Sequence, residues 1–168
     1  MKRVTGVLLG LIFGLTILLG VAGAADKFAY IDLSRTFSEY NKTKEYDKGL
    51  SAKENVYTAE RDKKVSEIKQ LQDKMNLLSD KEKEAKKSDL EAKVNAFREF
   101  DSQKQMDLRK EQDEKMKEIL KDIEEAVKKY SEKEGFTLVF NDRVLIYQNK
   151  SLDITDKIIE IVNKGYKK

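Results

Sequence analysis

The chain has 168 residues, 39% of them charged, a net charge of +3, and no Cys, His, Pro or Trp. Without Cys or His there is no disulfide framework, no ordinary zinc site and no Ser-His or Cys-His catalysis. Lys2 and Arg3 account for much of the excess of 34 basic over 31 acidic residues, and the remaining charges are interleaved, which argues against a nucleic-acid footprint.

The first element is Lys2-Arg3 followed by the uncharged run Val4 to Val21 and then Ala22-Gly23-Ala24. A charged start, an apolar stretch and a small-x-small site in that order predict a cleavable secretory signal peptide over 1–24. The competing expectation is an uncleaved anchor, since the apolar run reaches the lower limit for crossing a bilayer. In both cases the rest of the chain lies outside the inner membrane.

Phe28 to Leu33, FAYIDL, is apolar and β-favouring and reads as a strand over 28–33, with Ser34 capping a helix behind it. Good helix formers then prevail to about residue 134. With no Pro and only Gly49 as a glycine in this stretch, the spacing predicts a long antiparallel helical hairpin over 46–119. Its tip is expected near 79–89, where Ser79-x-x-Glu82 and Ser88-x-x-Glu91 both have capping-box form. A reversal near residue 84 would face Leu78 with Leu90, Met75 with Val94, Leu71 with Phe97 and Ile68 with Phe100. Such a narrow seam can zip two helices but cannot make a globular core.

Gly135 is placed to end the second limb. Two strands follow, 136–141 (FTLVFN) and 144–148 (VLIYQ), around an Asn141-Asp142-Arg143 turn. Asp153 caps a last helix over 153–167 that sets Ile154, Ile158, Ile161, Val162 and Tyr166 on one face. Segments 26–45 and 120–168 therefore form a compact body that is too small to cover its own apolar strands. Phe28, Tyr30, Phe136, Leu138, Phe140, Leu145 and Tyr147 are expected to be shared between copies, with open strand edges inviting the pairing.

This order resembles the Skp/OmpH-like family of periplasmic chaperones: signal segment, FAYIDLSRTF, charged hairpin, then GFTLVFNDRVLIYQNKSLDITDKIIEIVN. The likeness extends from about Lys27 to the end and is most specific in the strand after Gly135, the strand ending at Tyr147 and Asp153-Ile154-Thr155. It implies a mostly α fold with a small β body of three strands per chain, and a jellyfish-like homotrimer whose hairpin arms enclose a cavity. It also implies an ATP-independent holdase, not an enzyme, with no cofactor and no metal. Unfolded outer-membrane β-barrel proteins would be its partners, close to a membrane surface. Family arms are often basic; here Asp80 to Asp89 carries Lys81, Lys83, Lys86 and Lys87 against Asp80, Glu82, Glu84 and Asp89.

The candidate client contacts are Leu77, Met106, Met75, Phe97, Phe100, Tyr46 and Tyr57. Met75, Phe97 and Phe100 lie in the matched layers and read first as seam, Tyr46 and Tyr57 could pack near the body, and Leu77 and Met106 have no obvious seam partner. Asp32, Asp142 and Asp153 read as strand-end, turn and cap residues rather than catalytic ones. The alternative function is a structural or scaffold coiled coil of the envelope, anchored by an uncleaved Val4 to Val21.

Overall fold

A computed structural model describes residues 26–166; the expected signal segment lies outside the described residues. In chain order the elements are β1 (Phe28–Ile31), α1 (Leu33–Glu39), α2 (Asn41–Asn76), α3 (Asp80–Glu134), β2 (Leu138–Asn141) and α4 (Thr155–Gly165). Among the described residues no helix is long and apolar enough to cross a membrane.

Asp32 rather than Ser34 opens α1: its carboxylate accepts the Arg35 N–H at 2.8 Å, and its own N–H donates to Thr155 Oγ1 at 2.9 Å. The chain then breaks at Tyr40, whose extended backbone separates α1 from α2. At 1.5 Å per residue, the 36 residues of α2 span ~54 Å and the 55 of α3 ~82 Å.

The reversal between them is Leu77-Leu78-Ser79, shorter and earlier than the expected 79–89 tip. Of the two capping-box sequences, Ser79 and Glu82 form the working one: the Ser79 N–H donates to the Glu82 carboxylate at 3.0 Å. The expected seam register shifts with the tip. Phe100 lies against Tyr57 at 6.1 Å between ring centres and under the Lys64 ammonium at 4.8 Å, rather than opposite Ile68. Phe97 meets Arg61 at 6.0 Å, rather than Leu71. Apolar residues spaced every three or four positions match in several registers, so the cap and not the seam sets the alignment.

Gly135 ends α3 in the left-handed region (φ 76°), and the Gly135 and Phe136 N–H groups both return to the Ser131 carbonyl. β2 then lies parallel to β1, Phe28 facing Leu138 and Ile31 facing Asn141. Parallel neighbours need a long crossover, and here the whole helical hairpin is that crossover. Alternation sends Ala29, Ile31 and Val139 inward against Ile119, Ile123, Ala126, Ile158 and Val162, the buried centre of the body.

The expected strand over 144–148 does not form within one chain. Asp142–Val144 is a turn of 3₁₀ helix and Leu145 to Asn149 runs without a strand partner. One edge of β1 is taken by β2; on its other side the Tyr30 carbonyl accepts the Ile154 N–H at 3.0 Å, so no edge of β1 remains for a third strand.

Candidate functional site

Two surfaces concentrate exposed apolar side chains, one on the arm and one on the body. On the arm, Leu77 at the tip is 87% exposed and Met106 is more than half exposed. These are the two candidates for which no seam partner was expected. Met75, Phe97 and Phe100 are half-buried between the limbs, as their spacing allows. Tyr57 is tied down, its hydroxyl donating to Asp101 at 2.6 Å. Tyr46 is half-buried with its hydroxyl inside and no hydrogen-bond partner among the described residues. Burial pushes that hydroxyl's pKa up, and the carboxylates of Glu111, Asp47 and Glu54 add to the shift. Val56 and Val65 are also exposed on α2. Val56 falls outside the three-four apolar rhythm, whereas Val65 continues it three residues before Ile68 yet stays exposed; a lone valine among charges is the available signal for both.

On the body, the outward face of the sheet is uneven. Phe28, Leu138 and Phe140 are exposed, with Phe28 and Phe140 in tilted contact at 6.5 Å between ring centres. Tyr147 is exposed, and Val144, Ile146 and Leu152 in the same segment join it. Leu145 is half-buried. Tyr30 is different: at 4% exposure it is spent on the chain's own interior, beneath the segment that carries Asp142 and Asp153, and offers no surface to a partner. Phe136 is likewise half-committed, lying against Tyr130 at 6.1 Å and under the Lys27 ammonium at 4.3 Å.

A polar cluster joins the arm to the body. Lys42 at the foot of α2 donates to Asp122 at 2.6 Å and sits 2.7 Å from Glu118, both on α3. Glu118 is also reached by Lys115 at 2.6 Å. These two lysines hold the Glu118 carboxyl at about 2, well below the usual carboxylate range. Partial burial opposes charge on the Lys42 ammonium, but its bonds to Asp122 and Glu118 outweigh this and raise its pKa. Tyr40 donates to the same Asp122 at 3.1 Å; burial, then that bond, push its hydroxyl up to about 12. Tyr40 also meets Tyr166 of α4 edge to face at 5.8 Å.

The three aspartates have the structural tasks their positions suggest. Asp32 caps α1. Asp153 accepts from the Thr155 N–H at 2.9 Å, at the start of α4. Asp142 opens the 3₁₀ turn after β2. Among the described residues no group of acidic side chains is arranged to hold a metal ion.

Residues 27–162 match the family described as Outer membrane protein (OmpH-like). The chain is 32% identical over 146 residues to the chaperone protein Skp of Pectobacterium atrosepticum, covering 83% of this chain and 87% of that one. The fold is similar to a crystal structure from Caulobacter crescentus CB15 described as an outer membrane chaperone (OmpH-like), with a TM-score of 0.76 at 13% identity over 85% of this chain and 87% of the other. With the arm, the parallel strand pair and the C-terminal helix in place, these matches make the chain a member of the OmpH-like (Skp) family, whose members are chaperones and not enzymes.

Proposed function

We propose that the protein is an ATP-independent holdase of the periplasm, exported by a cleaved signal over residues 1–24. It would keep unfolded outer-membrane β-barrel proteins from aggregating before membrane insertion. The observation that carries this is the arm itself: exposed Leu77, Met106, Val56 and Val65 stand singly in a charged surface, and no described residue between Thr43 and Ile119 is buried. Unfolded barrel strands alternate apolar and polar residues. Scattered apolar contacts in a solvated wall give such a chain many weak, interchangeable holds, and charge between them disfavours irreversible sticking.

Leu77 and Met106 are the foremost client contacts in this proposal. Met75, Phe97, Phe100, Tyr46 and Tyr57 act mainly in holding the limbs together. The body would assemble a homotrimer through Phe28, Leu138, Phe140, Leu145 and Tyr147, with Phe136 at the margin. The free outer edge of β2 and the strandless Val144 to Tyr147 segment support this, because each supplies what the other lacks across a subunit boundary. The arms would then enclose a cavity, with membrane-surface proximity but no nucleic acid and no cofactor.

Native mass spectrometry of the chain from Ala25 onward tests this, before and after dilution of a urea-unfolded barrel protein into it. The expected result is a trimer that takes up one client and keeps it soluble. An oligomer that ignores several such clients would overturn the proposal.

A further inference from the structure

One flank of the arm carries a cleft of about 430 Å³ between α2 and α3. Its apolar lining is half-buried Tyr57 and Leu108 with exposed Ala52 and Val56 beside them. On the α2 side the wall facing Leu108 is low, because Ala52 offers only a methyl group there. Polar contacts close both ends. Lys53 bridges Glu111 at 2.6 and 2.7 Å on the body side, and Tyr57 donates to Asp101 on the tip side. Between them Lys104 and Asp107 stand one turn apart on the rim, neither in an ion pair with a described residue. Asp107 accepts only a neutral Gln103 amide, at 2.8 Å.

We propose that this cleft is a discrete anchor on each arm for one aromatic side chain of an extended client segment. Lys104 and Asp107 would meet that segment's backbone C=O and N–H groups. The inference rests on the holdase proposal and names the part of the client that is held. An extended strand offers one side chain to a given face at every second residue and leaves its amide groups unpaired in between. An apolar floor beside one ammonium donor, 6.0 Å from the Phe100 ring, and one carboxylate acceptor complements that pattern. A lipid tail would use neither rim group, and a folded partner would need a far larger surface. Barrel strands carry aromatic residues in girdles at both membrane interfaces, so every such client supplies side chains of this kind. The volume is at the small end of ligand sites, which suits one ring rather than a whole segment.

The chain has no Trp, so the emission of a peptide with a single Trp reports on the peptide alone. A ten-residue peptide of alternating apolar and polar residues with one central Trp should shift its emission to the blue on titration with the full-length mature oligomer. It should also move the methyl NMR signals of Ala52, Val56 and Leu108. Ala52→Leu, which fills the floor, and Val56→Lys should each weaken peptide binding about tenfold. Ala85→Leu, the same change at an exposed site near the tip, should leave it unaltered.

Equal affinity in Ala52→Leu and wild type would overturn the anchor, as would methyl shifts confined to other residues. Shifts at these methyls on simple dilution of the protein would assign the cleft to a second copy and overturn it too. Retention of a urea-unfolded barrel, assayed in parallel, separates the two proposals. A protein that holds the barrel while its peptide affinity ignores Ala52→Leu loses the anchor alone, and one that holds no barrel loses both.

Discussion

In the body, Ile119, Ile123 and Ile158 are withdrawn from water almost completely; along the arm, the best-covered side chains are only half-buried. The body is held by apolar area, Ala29 and Ile31 of β1 meeting the foot of α3 and the inner face of α4. The arm is held by edges: Tyr57 on Phe100, Lys64 on the same ring, Lys53 on Glu111, Arg61 on Asp101. Contacts of that exposed kind contribute roughly 0.2–1 kcal/mol each. One chain thus contains a cooperative core and a long projection that can open piecemeal without unfolding it. A surface meant to accommodate many sequences gains from that difference, because its contacts can rearrange without cost to the fold.

The contrast breaks most sharply on paired truncations. Ile123→Ala in the body should cost about 2–5 kcal/mol, read from the urea midpoint, while Ile68→Ala in the seam should cost less than half as much. Equal losses would mean that the arm is part of the cooperative unit. Lys42 lies on the boundary, and Lys42→Met should cost about 1–2 kcal/mol by leaving Asp122 and Glu118 short of a donor.

The same site has a pH signature. Glu118 has a folded value of about 2 against an ordinary 4.5, so its stabilisation is present above the higher value and fades as pH falls toward the lower. Lys42→Met should flatten the stability profile in that window, with Lys115 preserving part of the slope. A profile parallel to wild type would show that Lys42 contributes nothing to the depression.

At the far end, Ser79→Ala removes half of the capping box. Amides of the first turn of α3 should exchange about fivefold faster with no change in the urea midpoint. Protection lost along the entire arm would instead make the tip the nucleus of the hairpin. The smallest effect is expected at Gly49, a helical glycine where an added Cβ would meet nothing within 4 Å. Gly49→Ala should stabilise α2 by about 0.5–1 kcal/mol, visible as slower exchange around that residue. Unchanged exchange there would place the helix's weak point elsewhere.

Much of the body was legible because its signals are local. FAYI and LVFN are short β-branched and aromatic runs, Gly135 stands where only a left-handed residue ends a helix cleanly, and Ile154, Ile158 and Val162 repeat on one face. The hairpin was legible as an element but not in register, since a seam of one apolar residue per turn can slide by about three turns and still match. Ser79 held the answer, but Ser88 has the same form, and only the folded alignment separates them. VLIY has the composition of a strand yet no partner among the described residues, because a strand is a property of a pair. Tyr30 failed as a shared residue for the converse reason: the segment that returns over β1 is more than a hundred positions downstream, beyond any local pattern. The cleft at Ala52 was invisible, since its lining comes from two helices whose register the spacing did not fix.

The parallel pairing of β1 with β2 has a consequence for the order in which the molecule is made. Lys27 donates to the Glu134 carbonyl across 107 positions, and the strands that flank these residues meet only when everything between has been produced. A loop of that length closed as coil would be slow and entropically costly. Formed first as a helical hairpin, the same stretch brings its two ends side by side and makes the remaining closure short. The arm would then be the folding template of the body, completed before the core that afterwards outlasts it, and an emerging N-terminal strand must wait, unpaired, for its neighbour to arrive.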